Sequence, residues 1–266
     1  MKYLSLIFSA SLLVFSSCGN EKPEAEQEKS PVEDSVAKEA YVWPAEIDTL
    51  LHSFPLLQDS IIHIDSTLIR NIENKDTITG DEIRFLSANY HGNTLFSFQK
   101  YSLENYLEMD SIIANGHYDE YLEHIDIGNT KYVNGKKLFY HPLGDSCLLF
   151  FWAIHYRTYE ACPWGEGTYI FMTNAYAGRI CETICIGLED AGGDPPVAGS
   201  TDRYAELLSD GLIRIRQRDI GDEDMDQPKV ELTEGEFEFK LEGVKIKSVK
   251  ENPGKAKMVP RKSVGY

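Results

Sequence analysis

The ten residues from Cys147 to Tyr156, CLLFFWAIHY, decide what kind of fold this chain adopts. Apolar side chains stand at both odd and even positions, so a strand of this sequence buries both of its faces. The run is too short to cross a membrane as a helix, which needs about 20 apolar residues. Cys147–Tyr156 is therefore predicted to be a central strand of a sheet.

Two hairpins are predicted downstream of this strand, each from two segments that flank a short turn with a glycine. They are Thr168–Tyr176 with Arg179–Leu188 around Ala177-Gly178, and Arg203–Leu208 with Leu212–Arg218 around Ser209-Asp210-Gly211. In the last segment Ile213 and Ile215 alternate with arginines, which predicts one buried and one solvent-facing side.

A third hairpin is predicted upstream, because Asn134-Gly135 separates Lys131–Val133 from Leu138–Tyr140 and accepts the positive φ angles of a type I′ turn. Near the C-terminus apolar and charged residues alternate from Phe237 to Leu241, and the parity changes past Gly243, which marks a bulge or a turn. Successive strands with tight turns favour an antiparallel meander over βαβ units.

Short helices are predicted before the strands. Four apolar residues recur at helical spacing and are followed by Pro55: Ile47, Leu50, Leu51 and Phe54. Thr79 and Glu82 form a capping box for a helix that ends near Gly92, and Ser102–Ala114 is a weaker helix candidate. The predicted fold class is α+β, mainly an antiparallel β-sheet meander with a few short N-terminal helices.

The N-terminus has the pattern of a secretory signal peptide. Lys2 and the apolar run Leu4–Phe15 precede the small residues Ser16-Ser17 and then Cys18. This junction resembles the lipobox of bacterial lipoproteins, although Phe15 stands where that family more often has Leu, Val or Ile. The resemblance implies that residues 1–17 are removed and that Cys18 is acylated and anchors the protein in a membrane. An ordinary secretory signal with a chance cysteine is the alternative.

Composition divides the rest of the chain into three parts. Residues 18–40 are acidic and contain no aromatic residue, so we expect a lipidated cysteine followed by a disordered tether. Residues 41–251 are expected to form one α+β domain, and residues 252–266, which are locally basic, a loosely ordered tail. Gly19 after the cysteine favours the outer membrane, with its periplasmic or surface face left open.

The charge balance excludes one class of partner. The chain has 26 Lys and Arg against 43 Asp and Glu, a formal net charge of −17. Nucleic-acid binding rewards clustered cations, so no nucleic-acid partner is expected.

Two residues are candidates for ligand binding. Trp164 lies in a predicted loop, where exposed aromatic rings recognise ligands such as glycans. His155 shares strand parity with core positions of Cys147–Tyr156, which favours a hydrogen-bonded core histidine over a catalytic one. No catalytic residue and no cofactor is assigned.

Three aspartates alternate in the segment GDEDMDQ and are weak metal candidates: Asp222, Asp224 and Asp226. The EF-hand pattern fails, because Gln227 replaces the glycine at position six and Thr233 the glutamate at position twelve. A solvated acidic turn is favoured over a weak calcium site.

Four cysteines follow Cys18, and an even number permits disulfides in an oxidising compartment: Cys147, Cys162, Cys181 and Cys185. On a regular strand Cys181 and Cys185 lie on one face about 13 Å apart, at about 3.3 Å per residue, and cannot bond to each other. A bond between Cys147 and Cys162 stays open. Gly144-Asp145-Ser146 resembles the start of one esterase family, but the required histidine near the C-terminus is missing because the last histidine is His155.

The layout of Phe54-Pro55, the helix Glu82–Leu86 and a long antiparallel sheet resembles that of small uncharacterised envelope lipoproteins of Gram-negative bacteria. This resemblance implies location and fold and carries no activity. We therefore expect a membrane-anchored envelope lipoprotein with a non-catalytic role, as a ligand-binding or accessory protein whose partner is an envelope protein or a glycan. The alternative is a periplasmic or surface hydrolase with an unrecognised active site, which a cleft with converging titratable groups would favour.

Overall fold

The computed structural model describes residues 41–89, 131–158, 164–194, 196–224 and 226–265. The predicted signal peptide, Cys18, the tether, the helix candidate Ser102–Ala114 and Cys162 lie outside these ranges. Within them the chain forms short helices followed by one antiparallel sheet, which confirms the predicted fold class.

Ten strands form the sheet: β1 Ile61–Ile64, β2 Lys131–Pro142, β3 Cys147–Thr158, β4 Trp164–Tyr176, β5 Arg179–Asp194, β6 Val197–Leu208, β7 Leu212–Asp222, β8 Lys229–Glu242, β9 Lys245–Asn252 and β10 Lys257–Pro260. The main path runs in the order β10-β8-β7-β6-β5-β4-β3-β2, with β1 paired to β6 and β9 paired to β8. Strands β2 to β8 follow one another as a meander.

The predicted strand β3 is confirmed with both faces buried, although it lies next to the edge strand β2 and not at the centre of the sheet. Each of its faces packs against a different cluster. Leu149, Phe151 and Ala153 are fully buried in a first cluster, which includes residues of β1, β4 and β6 to β8. Phe150 and Trp152 on the other face pack in a second cluster, which includes residues of the helices α1 (Ala45–Ser53) and α3 (Gly80–Leu86).

Helix α3 begins where the sequence predicts. The Thr79 hydroxyl accepts a hydrogen bond from the Glu82 backbone N–H at 3.2 Å, and the Thr79 N–H donates to the Glu82 carboxylate at 2.9 Å, which completes the capping box of α3. The helix ends earlier than predicted, at Leu86. Thr183 and Thr173 donate side-chain hydrogen bonds to the Leu86 carbonyl at 2.7 and 3.2 Å, so the sheet closes this helix end.

The hairpin predicted at Asn134-Gly135 is wrong. Both residues lie inside the continuous strand β2, opposite His155 and Ile154 of β3. The other edge of β2 is also occupied, because the Gly135 carbonyl accepts a hydrogen bond from the Ile78 N–H at 3.0 Å. Pairing along both edges keeps the backbone extended where the local dipeptide favours a turn.

The other two hairpins are confirmed. Ala177 and Gly178 connect β4 to β5 with φ angles of 47° and 81°, as a type I′ turn requires. Gly211, with a φ angle of 80°, ends the turn between β6 and β7. The parity change past Gly243 is a turn that starts β9.

The cysteine geometry differs from the regular-strand expectation. The β4–β5 pairing shifts register between Thr173 and Ala175, which moves Cys181 relative to Cys185. Cys185 packs in the second cluster, whereas Cys181 lies near Cys147 of the first. Burial raises the pKa of the Cys147 thiol to about 11, and the neighbouring Cys181 contributes. Among the described residues all three are buried thiols without a disulfide, and the open pairing of Cys147 with Cys162 lies outside the described residues.

Part of the predicted loose tail is paired to the sheet. Strand β10 pairs with β8, and Val259 packs against a third cluster of Ile220, Val230 and Leu232. The Arg261 guanidinium binds the Asp222 carboxylate with two hydrogen bonds, one of them 2.8 Å long. Residues 257–261 are therefore held by hydrogen bonds and by an ion pair, which composition alone does not reveal.

Candidate functional site

A row of polar side chains crosses the sheet just beyond the apolar residues of the first cluster. His155 on β3 pairs with Thr168 on β4, and Thr168 pairs with Glu189 on β5. Glu189 in turn pairs with Asp202 on β6, and Asp202 with Arg218 on β7. Directly paired residues project from the same face, so the row brings five strands to one polar site.

This row borders a cleft of about 380 Å³, a size typical of ligand sites. The helix α2 (Ser66–Arg70) and the following 3₁₀ turn Ile72–Asn74 supply one wall. Ile69 and Ile72 on this wall are 4% and 2% exposed and belong to the first cluster, so the wall is fixed to the core.

His155 is half-buried in the cleft. Its Nδ1 is hydrogen-bonded to the Thr168 hydroxyl at 2.9 Å, and its Nε2 lies 4.0 Å from the Glu166 carboxylate. The structure therefore places this sequence candidate at the cleft lining, held by a hydrogen bond as a core histidine would be.

Glu189 and Asp202 face each other across β5 and β6 in the cleft. The Tyr204 hydroxyl donates a hydrogen bond of 2.7 Å to Glu189, and burial followed by this contact raises the pKa of Tyr204. Burial also raises the pKa of Asp202, although Arg218, at 3.3 Å, and Arg70 act in the opposite direction. The cleft thus holds two adjacent carboxyl groups in different environments.

A second groove, of about 420 Å³, is lined by residues of β5 to β8, and its paired residues Asp190, Thr201, Asp219 and Thr233 project from the face opposite to Glu189 and Asp202. Asp190, Ala191 and Ser200 line both spaces. Asp190 is held by the Tyr169 hydroxyl, which donates to it at 2.8 Å. The two spaces therefore lie on opposite faces of the same segment of β5 and β6.

A buried polar chain fixes the sheet beside this groove. Arg203, 2% exposed, donates to the Gln217 carbonyl oxygen at 3.0 and 2.7 Å, and Gln217 donates to Asp219 at 3.0 and 2.8 Å. The Thr201 hydroxyl also donates to Asp219 at 2.9 Å. Burial lowers the pKa of Arg203 and raises that of the neighbouring Cys185 thiol. The chain orients Asp219 toward the groove that it lines.

Trp164, the other sequence candidate, begins β4 and pairs through its backbone with Gly193. Its side chain lies outside the described part of the structure. The loop predicted around Trp164 is thus strand from Trp164 onward.

The three acidic candidates have protein partners in the structure. Asp222 is almost fully buried and forms an ion pair with Arg261, so the Arg261 guanidinium is its counter-ion. Asp224 accepts hydrogen bonds from the Asp226 N–H at 3.0 Å and from the Gln227 amide at 3.1 Å, which closes a local turn. These contacts argue against a calcium loop, but Asp222 is buried at the end of β7 and does not lie in the predicted solvated turn.

Two further properties concern the described ranges alone. In them, no three His, Cys, Asp or Glu side chains stand close enough together to hold a metal ion. None of the helices found there combines the length and apolar character that a membrane crossing requires.

Sequence reasoning missed Glu189 and Asp202, because pairs of acids occur readily by chance in a chain with 43 of them. The sequence did contain one indication of this site. The predicted β6–β7 hairpin is regular, and counting residues back from its turn places Asp202 opposite Arg218. Comparison of the chain with protein-family models, with curated proteins and with solved structures finds no match.

Proposed function

We propose that this protein is a lipid-anchored component of the bacterial cell envelope that binds a small, positively charged ligand in the cleft. The lipobox-like junction at Cys18 supports the anchor, and the cleft beside His155 supports the ligand site. The role is non-catalytic in this proposal, and its specificity comes from charge and from the apolar wall of α2.

The observation that carries the proposal is the excess of carboxylates around a preformed cleft. Five line it: Glu73, Glu166, Glu189, Asp190 and Asp202. Against these five carboxylates, the described lining residues include one arginine, Arg70, and one histidine, His155. Carboxylates that share a partly enclosed space attract a cation more strongly than isolated surface acids, because the low-dielectric walls focus their field.

Dilysine amide is a suitable probe, because it carries ammonium groups on a short polar body. Calorimetric titration of the full-length protein in non-ionic detergent at about 0.15 M salt should show saturable binding. Glu189→Gln keeps the shape of the side chain and removes its charge, so it should weaken binding about tenfold. Glu251→Gln removes an exposed charge on β9, outside the cleft, and is the matched control. Equal losses in both variants would contradict the proposal.

The anchor is tested separately. Cys18→Ala should move the protein from the membrane fraction to the soluble periplasmic fraction, because several acyl chains on one residue anchor stably. A variant that stays in the membrane pellet would refute the lipid anchor at Cys18.

Hydrolysis is the second candidate function, and the facing pair of Glu189 and Asp202 favours it. Burial raises the pKa of Asp202, as general acids require, and Glu189 lies opposite to act as the base. Release of nitrophenol from 4-nitrophenyl glycosides, abolished in Asp202→Asn, would support hydrolysis. Absence of turnover across a series of such glycosides would leave the binding role.

A further inference from the structure

Arg70 brings a positive charge to the cleft that no described side chain neutralises by direct contact. It is the exposed last residue of α2 and lines the cleft. Burial raises the pKa of both Asp202 and Tyr204, and the nearby Arg70 charge acts against this rise in each. Asp202 is nevertheless paired with Arg218, at 3.3 Å. In the described ranges the Arg70 guanidinium therefore forms neither a hydrogen bond nor an ion pair.

Glu189 supplies a negative charge to the same cleft, and its hydrogen-bond partner is neutral. It lies on β5, the strand against which α2 packs. The Tyr204 hydroxyl donates to Glu189 at 2.7 Å, and burial raises the pKa of this hydroxyl, which keeps it protonated. Glu189 forms no ion pair within the described part of the chain. One hydrogen bond leaves a carboxylate with further acceptor sites, so Glu189 can still accept from a ligand.

The two charges select a ligand that carries both signs. Arg70 and Glu189 line one space of about 380 Å³ without forming an ion pair with each other. A ligand with ammonium groups alone would neutralise Glu189 and bring a like charge close to Arg70. A carboxylate on the same ligand would instead accept parallel hydrogen bonds from the guanidinium, whose fork matches its two oxygens.

Resting on the proposed ligand binding in the cleft, we propose that the ligand is a basic amino acid or short basic peptide whose free carboxylate binds Arg70 while an ammonium group binds Glu189. Asp202 remains with Arg218 in this arrangement, so neither of these two residues has to exchange its partner. Arg70 is then the residue that distinguishes a free carboxylate from an amide.

The test compares dilysine with dilysine amide by calorimetry on the full-length protein at about 0.15 M salt. The two peptides differ in the C-terminal group, and the free acid carries one positive charge less. Diffuse attraction to an acidic protein would favour the amide, whereas the contact with Arg70 should make dilysine bind about tenfold more tightly.

Three variants locate the carboxylate. Arg70→Gln should abolish the preference for dilysine and leave the amide bound at least as tightly, which also shows that the variant is folded. Arg70→Lys keeps the charge without the fork and should retain part of the preference. Arg179→Gln removes an exposed arginine at the other end of β5, outside the cleft, and should leave the preference intact.

Each alternative outcome overturns a stated part of the inference. Equal or tighter binding of the amide to the wild type would refute the carboxylate contact and leave the proposed function in place. A preference that survives in Arg70→Gln would assign the carboxylate to another residue. Tighter binding of O-phosphoethanolamine than of dilysine, lost in Arg70→Gln, would replace the carboxylate by a phosphate. Absence of binding by both peptides would overturn the proposed function and this inference together.

Discussion

Glu82 joins several elements through a single carboxylate. It caps α3 through Thr79, and it forms an ion pair with Lys137 of β2 at 2.6 Å. Burial acts to raise the pKa of Glu82, but the hydrogen bonds from Lys137 and Thr79 outweigh it, so the pKa lies below its ordinary value. The folded state therefore favours the charged form of this side chain.

Glu82→Gln should lower the free energy of unfolding at neutral pH by about 1 kcal/mol, because charged hydrogen bonds become neutral ones. Because the pKa of Glu82 is lower in the folded state, its charge stabilises the fold at pH values above the unfolded-state pKa of about 4.3. This stabilisation is lost as the pH falls through the folded-state pKa. Urea unfolding between pH 7 and pH 3 should thus show the wild-type advantage shrinking with acid. Glu46→Gln in α1 is the control, and an advantage independent of pH would contradict this account.

Asp222 depends on Arg261 for its stability, since its side chain is 1% exposed. Arg261→Met should lower the free energy of unfolding by about 3 kcal/mol, because it leaves a buried carboxylate without a partner. The double variant Asp222→Asn with Arg261→Met should recover part of this loss in urea unfolding. A loss below about 0.5 kcal/mol would mean that the C-terminal segment is held as loosely as its sequence suggests.

At the scale of the elements, the pairing register of β4 and β5 determines which side chains come together in the cleft. The turn at Ala177-Gly178 pairs Tyr176 with Arg179, and regular pairing from there would set Thr168 opposite Gly187. Two register shifts move Thr168 to Glu189 instead. Bulges depend on packing between distant residues, so a sequence that reveals both strands and their turn does not reveal which side chains face each other.

The same limit explains what could and could not be predicted. The buried faces of Cys147–Tyr156 and the capping box at Thr79 are local patterns, and the structure confirms both. The turn expected at Asn134-Gly135 is also a local pattern, yet pairing on two edges overrides it. Prediction of the cleft would have required the pairing register of five strands, and no local sequence pattern contains that information.

The turn between β4 and β5 contains a residue whose substitution should increase the stability of the fold. Ala177 adopts a φ angle of 47°, a conformation that disfavours alanine and suits asparagine. Ala177→Asn should therefore raise the free energy of unfolding by about 0.5–1 kcal/mol. Gly178→Ala should lower it, because the added Cβ would lie 2.8 Å from the Tyr41 hydroxyl oxygen at a φ angle of 81°. Thermal unfolding of both variants checks the pair, and a destabilised Ala177→Asn would exclude a type I′ turn.

At the scale of the whole molecule, the acidity of the chain gives diffuse attraction for divalent cations, which salt screens. Because Asp222 already has Arg261 as its counter-ion, millimolar calcium at physiological salt should shift the melting temperature by less than about 2 °C. Differential scanning calorimetry measures the shift. A larger shift that persists in added salt and disappears in Asp224→Asn would place a calcium site in this loop.

Strand β1 has a consequence for how the chain acquires its fold. Ile64 pairs with Ala205 of β6, far later in the sequence, and its side chain packs where Gly187 leaves space. If the chain is exported from its N-terminus, β1 emerges long before its partner and waits unpaired while the meander is delivered. An apolar strand that stays unpaired in this way is open to wrong pairing, so a chaperone that binds near residues 61–64 would speed correct assembly more than one that binds the later hairpins.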